Sequence, residues 1–216
     1  MILDLFFPNR CLDCHIIINS EEVICDACLS NIDFTHIDYF SNNRLLQKCR
    51  TLFPTENAFA LMQFEKDNLA RKILHHLKYG SREKIGRNLA KWTIERINFN
   101  EQSPQLITTI PLHPSKQKER GYNQLHLFAN TLSLFYNINV DHHLLKRNTS
   151  NKAQAKRKKE ERENYQNQFT ITKELQNTHV LIIDDVFTTG NTISRAAWEI
   201  LQDTSNKVSV LVMAID

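Results

Sequence analysis

The chain has 216 residues, 41% hydrophobic and 24% charged, the proportions of a soluble globular protein with room for one α/β domain and a small appendage. Lys and Arg exceed Asp and Glu by only 27 to 24, so the net charge of +3 gives no argument for nucleic-acid binding, which must rest on local clusters. No apolar run approaches the roughly 20 residues of a membrane span, and the opening ILDLFF is broken by Asp4 and lacks the basic start of a secretory leader. A cytoplasmic protein without membrane insertion is expected.

Four of the five cysteines come in two Cys-x-x-Cys knuckles, Cys11 with Cys14 and Cys25 with Cys28. Each knuckle sets two thiolates on one side of a tight turn, and two of them supply the four-sulfur tetrahedron that zinc prefers. Redox dithiols are the alternative, and two knuckles this close favour metal. Four thiolates leave no open coordination position, so the zinc would be structural. Neither His15 nor Cys49 is then needed as a ligand.

Ser30 to Pro54 is polar and mixed, and it reads as a connection; the expected domains are 1–45 for the ribbon and its connection and 55–216 for the main domain. Ala58 to Phe64 suits a strand. Leu69, Ile73, Leu74 and Leu77 recur at helical spacing up to Tyr79, with Gly80 as a C-cap. On that helix His75, His76 and Lys78 read as surface or partly packed side chains without a catalytic role. A second helix is expected over 83–97, from Ile85, Leu89, Trp92 and Ile97.

Leu106 to Ile110 is a short β-like run. Pro111 and Pro114 then predict a loop carrying Lys116, Lys118 and Arg120 before Gly121, and a helix with Tyr122, Leu125, Ala129, Leu132 and Phe135 follows. Arg120 is the better anion clamp of the three cations because its guanidinium is bidentate; solvated surface charge is the alternative. Lys146, Arg147, Lys152, Lys156, Arg157, Lys158, Lys159 and Arg162 then crowd a stretch with no large apolar side chain after Leu145, the composition of a flexible basic loop over about 146–168. Lys156, Arg157, Lys158 and Lys159 are candidate contacts to single-stranded DNA, although only Tyr165 and Phe169 are near enough for base stacking.

The run VLIIDDVFTTGNTI, Val180 to Ile193, organises the rest. Four apolar residues suited to the middle of a parallel sheet lead to Asp184 and Asp185, then to a loop reaching Thr192, where a helix with Ile193, Ala196, Ala197, Ile200 and Leu201 on one face opens. A second apolar strand over 208–215 completes a βαβ unit. Ligands of such sheets sit beyond the carboxyl ends of the strands. Gly190, the Thr188, Thr189 and Thr192 hydroxyls and the free N–H groups of the helix start form a cup for a phosphate monoester. The two acids would repel that phosphate if they faced it, and suit sugar hydroxyls or a hydrated cation a few ångströms away. A Walker B strand is excluded, since Gly80, Gly86, Gly121 and Gly190 are spaced for neither a P-loop nor a GxGxxG fingerprint.

DDVFTTG resembles the 5-phosphoribosyl 1-pyrophosphate (PRPP) motif of type I phosphoribosyltransferases. More specifically, the four-cysteine N-terminus, LKYG, PLHPSKQKERGYNQ, a Q…R…N…F stretch and DDVFTTG, in that order, resemble the ComF family, the amidophosphoribosyltransferase-like competence proteins also called ComFC. Asn151 and Ala155 depart from the threonines frequent in that family, and 154–169 is unusually charged. The resemblance implies an α/β fold of the type I phosphoribosyltransferase class, a central parallel sheet flanked by helices, with a small N-terminal zinc ribbon. It also implies that Asp184 and Asp185 hold ribose hydroxyls, that Val186, Phe187, Thr188, Thr189, Gly190 and Thr192 form the 5′-phosphate loop, that Arg120 serves the pyrophosphate, and that Mg²⁺ accompanies PRPP. Two functions stay open: phosphoribosyl transfer to an acceptor the sequence does not name, or a non-catalytic PRPP- and single-stranded-DNA-binding partner of a competence helicase.

Overall fold

The computed structural model describes residues 8–79, 83–99, 102–148 and 168–216. Five strands form a fully parallel sheet in the order β1 (Ala58–Gln63), β7 (Lys207–Ile215), β6 (His179–Phe187), β2 (Leu106–Thr109), β3 (Asn139–Val140). The apolar runs explain the order: β6 and β7 are covered on both faces, and Val180 to Ile183 and Val210 to Ala214 are fully buried. Helices α3 (Leu69–Tyr79), α4 (Glu83–Ile94), α6 (Leu125–Tyr136) and α7 (Asn191–Ile200) pack on or beside the sheet. A separate antiparallel pair, β4 (Leu145–Arg147) with β5 (Phe169–Ile171), flanks the basic stretch. This is the expected parallel sheet between helices, with a small four-cysteine unit at the N-terminus.

Three local expectations are corrected. The connection over 30–54 is packed structure. Its residues 33–35 pair along the outer edge of β1, through Thr35 N–H to the Leu61 carbonyl at 3.1 Å and Gln63 N–H to the Asp33 carbonyl at 2.8 Å, so the sheet edge is covered. Beyond α1 (Asp26–Leu29) the connection also holds helix α2 (Arg44–Arg50), capped by Asn43 and burying Leu45, Leu46 and Cys49. Three buried residues among seven give too short an apolar stripe to stand out in a sequence.

The predicted loop 111–121 is largely a helix, α5 (Pro114–Arg120), with His113 as N-cap, Pro114 in the first turn and Gly121 in the left-handed conformation at its end. None of its residues is buried, so it shows no apolar period. Helix α6 starts at Leu125 and leaves Tyr122 outside, because Asn123 bridges the turn: its side chain accepts from Leu125 N–H and donates to the Ile110 carbonyl, each at 3.1 Å.

Strand β6 does not stop at the acid pair. Asp184, Val186 and Phe187 continue its ladder with Val212, Ala214 and Ile215 of β7, and the chain turns only at Thr188. Pairing with β2 ends at Ile183, so on that side the last residues of β6 project past their neighbour. From β2 the chain moves outward to β3, and from β6 it moves the other way to β7. The gap between β2 and β6 is therefore the topological switch point of the sheet, where ligand crevices form. The C-cap expected at Gly80 and the basic residues 149–167 lie outside the described residues.

Candidate functional site

Asp184 and Asp185 sit at this switch point, both partly exposed. The N–H of Asp185 donates to Asp184 Oδ1 at 2.8 Å. Burial, with the Asp185 carboxylate beside it, pushes the Asp184 carboxyl up to about 8, against the opposing pull of Lys78 and Arg147. Asp185 is held from another direction: Lys78 Nζ lies 2.9 Å from Oδ2, and Gln124 Nε2 donates to the same oxygen at 3.1 Å. With Oδ2 engaged twice, Oδ1 is the atom left to a ligand.

This support extends outward. Arg120 Nη1 donates to Gln124 Oε1 at 3.0 Å, its guanidinium lies 4.9 Å from the centre of the Tyr79 ring, and Tyr122 donates its hydroxyl to the Leu77 carbonyl at 2.8 Å. The end of α3 and the segment around Gly121 thus brace each other beside Asp185. Arg120, expected to face a pyrophosphate, is occupied by Gln124 and Tyr79, while its Nε is buried without a partner among the described residues. Lys78, read from the sequence as a surface or partly packed side chain, is partly buried and is the direct partner of Asp185. Its distance from the acids in sequence hid it; the adjacent glycine and tyrosine of LKYG were the only signal.

After β6 the loop is short. Thr188 and Thr189 are exposed, Thr192 is half-buried, and Gly190 is the residue before α7, with φ +74°. A Cβ at Gly190 would lie 2.5 Å from Phe187 Cζ and 2.6 Å from Leu52 Cδ1, so both conformation and space require glycine. Val186 is half-buried, and Phe187 is a buried ring beneath Gly190 that supports the loop from within. Leu52 belongs to the N-terminal connection, and its carbonyl accepts from Trp198 Nε1 of α7 at 3.1 Å. The three threonines and the first turn of α7, whose first N–H groups have no partner within the helix, follow the acid pair directly along the chain.

The four cysteines converge as their spacing predicts. The Cys11, Cys14, Cys25 and Cys28 sulfurs all lie within 4.8 Å of one another, and the Asp13 and Cys25 N–H groups reach Cys11 Sγ at 3.5 and 3.4 Å. A four-sulfur set with backbone donors around it fits a structural zinc ion. Asp13, inside the first knuckle, accepts from Lys72 Nζ of α3 at 2.8 Å. Lys84 of α4 donates to Asn9 and to the Ser20 carbonyl, and Asn88 donates to the Glu21 carbonyl at 2.8 Å. The unit is therefore tied to the two helices that precede β2. Lys156, Arg157, Lys158 and Lys159 lie outside the described residues.

Residues 2–39 match the family described as Double zinc ribbon domain. The DNA utilization protein YhgH of Escherichia coli (strain K12) is 28% identical over 147 residues, 64% of this chain and 63% of that protein. The chain thus spans slightly less than two thirds of that relative's length. Competence protein ComFC of Bacillus subtilis (strain 168) is 37% identical over 93 residues, 43% of this chain and 36% of that protein. Competence protein F of Haemophilus influenzae is 24% identical over 210 residues, covering 88% and 89%. Among solved structures, adenine phosphoribosyltransferase from Leishmania tarentolae aligns with a TM-score of 0.39 at 15% identity, over 71% of this chain and 80% of that one. Hypoxanthine phosphoribosyltransferase from Staphylococcus aureus aligns at 0.37 and 16%, over 62% and 65%. No helix among the described residues is long and apolar enough to cross a membrane. With its cysteine pairs gathered at one end, its acid pair at the sheet's switch point and its sequence matches to competence proteins, the chain is similar to the ComF-type competence proteins.

Proposed function

We propose that the crevice between β2 and β6 binds PRPP with Mg²⁺ and that the protein transfers the phosphoribosyl group to an acceptor. One observation carries this reading: an acid pair and a donor-rich helix start stand side by side at the switch point, matching a cis-diol next to a phosphate monoester. Asp184 and Asp185 would accept from the 2′- and 3′-hydroxyls. Lys78 and Gln124, by engaging Oδ2 of Asp185, keep its other oxygen aimed at the sugar. The Thr188, Thr189 and Thr192 hydroxyls and the N–H groups after Gly190 would hold the 5′-phosphate.

In transfer, the C1–pyrophosphate bond breaks as the acceptor's lone pair forms the new bond to C1, through an oxocarbenium-like transition state. Mg²⁺, held on the ligand's own oxygens near the acid pair, would neutralise charge on the departing pyrophosphate. Arg120 would reach a pyrophosphate only by releasing Gln124 or Tyr79, so its first role is to fix Gln124. No side chain at the crevice is needed as a catalytic base for departure of pyrophosphate.

A non-catalytic reading has support of its own in the names of the relatives and in the basic stretch 146–162: PRPP binding would accompany a grip on single-stranded DNA beside a competence helicase. Reduced cysteine pairs suit a cytoplasmic setting for either role. Calorimetric titration of PRPP and Mg²⁺ into the wild type and into Asp184→Asn/Asp185→Asn tests the site. Saturable binding that the double variant loses is expected; equal binding by both would remove the acid pair from the site. Pyrophosphate release across a panel of acceptors then separates transfer from binding alone.

A further inference from the structure

A second concavity, about 340 Å³, opens beyond the carboxyl ends of β2 and β3, at the root of the β4–β5 pair. None of the residues given above to ribose or 5′-phosphate lines it. Its apolar surface comes from Pro111 and Leu112 after β2, Pro114 of α5 and Leu145 of β4, and its charge from Lys146 and Arg147. No carboxylate lines it. The nearest in sequence, Asp141, is already paired with Lys173 at 2.7 Å.

Three imidazoles complete the wall: His126 from α6, and His142 and His143 from the segment after β3. His126 and His142 stack on each other, centroids 3.9 Å apart and planes 21° from parallel. His142 is fixed in place, its Nδ1 3.3 Å from the Thr109 hydroxyl and its Nε2 2.8 Å from Asn130 Oδ1. The His126 ring nitrogens have no hydrogen-bond partner among the described residues, though the side chain is half-buried. Burial holds both rings below their ordinary range, His126 down at about 4, so at neutral pH they offer uncharged ring surface, and His126 its unengaged nitrogens, while Lys146 and Arg147 supply the charge.

We propose that this cleft binds a nucleotide, with the phosphate on Lys146 and Arg147 and the base against the Pro111–Leu112 surface and the His126–His142 pair. An acid-free cleft with two cations selects an anion. The apolar and imidazole walls add what a bare phosphate does not use: a surface for a planar ring, and free nitrogens for its edge. Arg147 also faces Asp184 electrostatically, so an occupant would be felt at the acid pair. A free nucleotide and one nucleotide of a single strand offer the same chemistry here.

The inference stands apart from the phosphoribosyl reading, and the probe is chosen to keep it so. Deoxyadenosine monophosphate lacks the cis-diol that the acid pair would read. It is titrated into full-length protein while the imidazole resonances of His126 and His142 and the amide of Gly190 are followed by NMR. Saturable shifts at the two histidines are expected. Lys146→Met and His126→Gln should each weaken binding by about tenfold, the loss expected for one hydrogen-bonded contact to a charged or ring partner. Lys146 is exposed, so its variant keeps the test valid if His126→Gln fails to fold. An oligo-deoxyadenylate that binds more tightly than the monomer, and loses that gain with salt, identifies a strand as the source; equal affinity identifies the free nucleotide. Shifts confined to Gly190, or inorganic phosphate matching the nucleotide in affinity and in shifts, would overturn the proposal.

Discussion

At the switch point of the sheet the functional side chains arrive from three distant stretches, Lys78 at the end of α3, Gln124 before α6 and the acids on β6, whereas the four-cysteine unit gathers all its ligands between Cys11 and Cys28. One site is assembled by the fold and the other by local spacing. They also depend on different forces. The crevice rests on buried strands and survives as long as the sheet does. The cysteine unit has little core of its own and would draw most of its stability from metal–sulfur bonds. Helix α3 joins them, with Lys72 on Asp13 of the unit and Lys78 on Asp185 of the crevice.

The largest expected effect breaks the local site. Stripping the metal under reducing conditions should remove binding energy on the order of 10 kcal/mol and unfold the region around 9–32, leaving the sheet folded. Hydrogen exchange should rise throughout that region and more modestly along α3 and α4, which lose the contacts of Lys72, Lys84 and Asn88. Exchange confined to the cysteine unit would show that the two sites are not joined through α3.

Gly190→Ala attacks the assembled site through its backbone. The added Cβ meets the Phe187 ring and Leu52 at under 3 Å, at a φ that disfavours side chains. A loss of about 2–4 kcal/mol is expected by urea denaturation, because the Phe187 ring is buried in the core and has little room to shift. A neutral result would mean that the loop and the connection move apart easily.

Lys78→Met should have a smaller effect on stability, about 1 kcal/mol, since the pair with Asp185 keeps 25% and 18% side-chain exposure and solvent screens it. Its effect on ligand binding should be larger, because Asp185 loses both its neutralising partner and its fixed orientation. Calorimetry on the folded variant separates the two. Unchanged PRPP affinity would return Lys78 to a structural role.

The effect confined to the narrowest conditions is in pH. Burial and the neighbouring Asp185 carboxylate raise the Asp184 carboxyl from its ordinary 3.8 to about 8 in the folded protein, so the native state holds an extra proton between those values. Stability is fully present below about 4 and declines as pH rises towards 8. Asp184→Asn should flatten that part of the melting-temperature profile. The same slope in both proteins would place the proton elsewhere.

How much of this could be read from the chain follows the same division. The cysteine knuckles and VLIIDDVFTTG are local patterns whose chemistry is written in adjacent residues, and the structure has the strand, the turn and the sulfur cluster they imply. What escaped was non-local or unpatterned. Lys78 carries meaning only once α3 is laid beside β6. Helix α5 has no fully buried residue and no apolar period to announce it. The continuation of β6 to Phe187 depends on β7 being longer than β2, which no run of residues in β6 reveals. The histidine cleft draws on α6 and the segment after β3, each unremarkable alone.

The most direct test of the central claim, that the acid pair reads a ribose diol, compares ribose 5-phosphate with 2-deoxyribose 5-phosphate by calorimetry. Wild-type protein should bind the ribose compound at least about tenfold more tightly, the value of one hydrogen bond to a charged acceptor. In Asp184→Asn/Asp185→Asn that preference should vanish while weak binding through the phosphate loop remains. Equal affinity of the wild type for the two sugars would contradict the account.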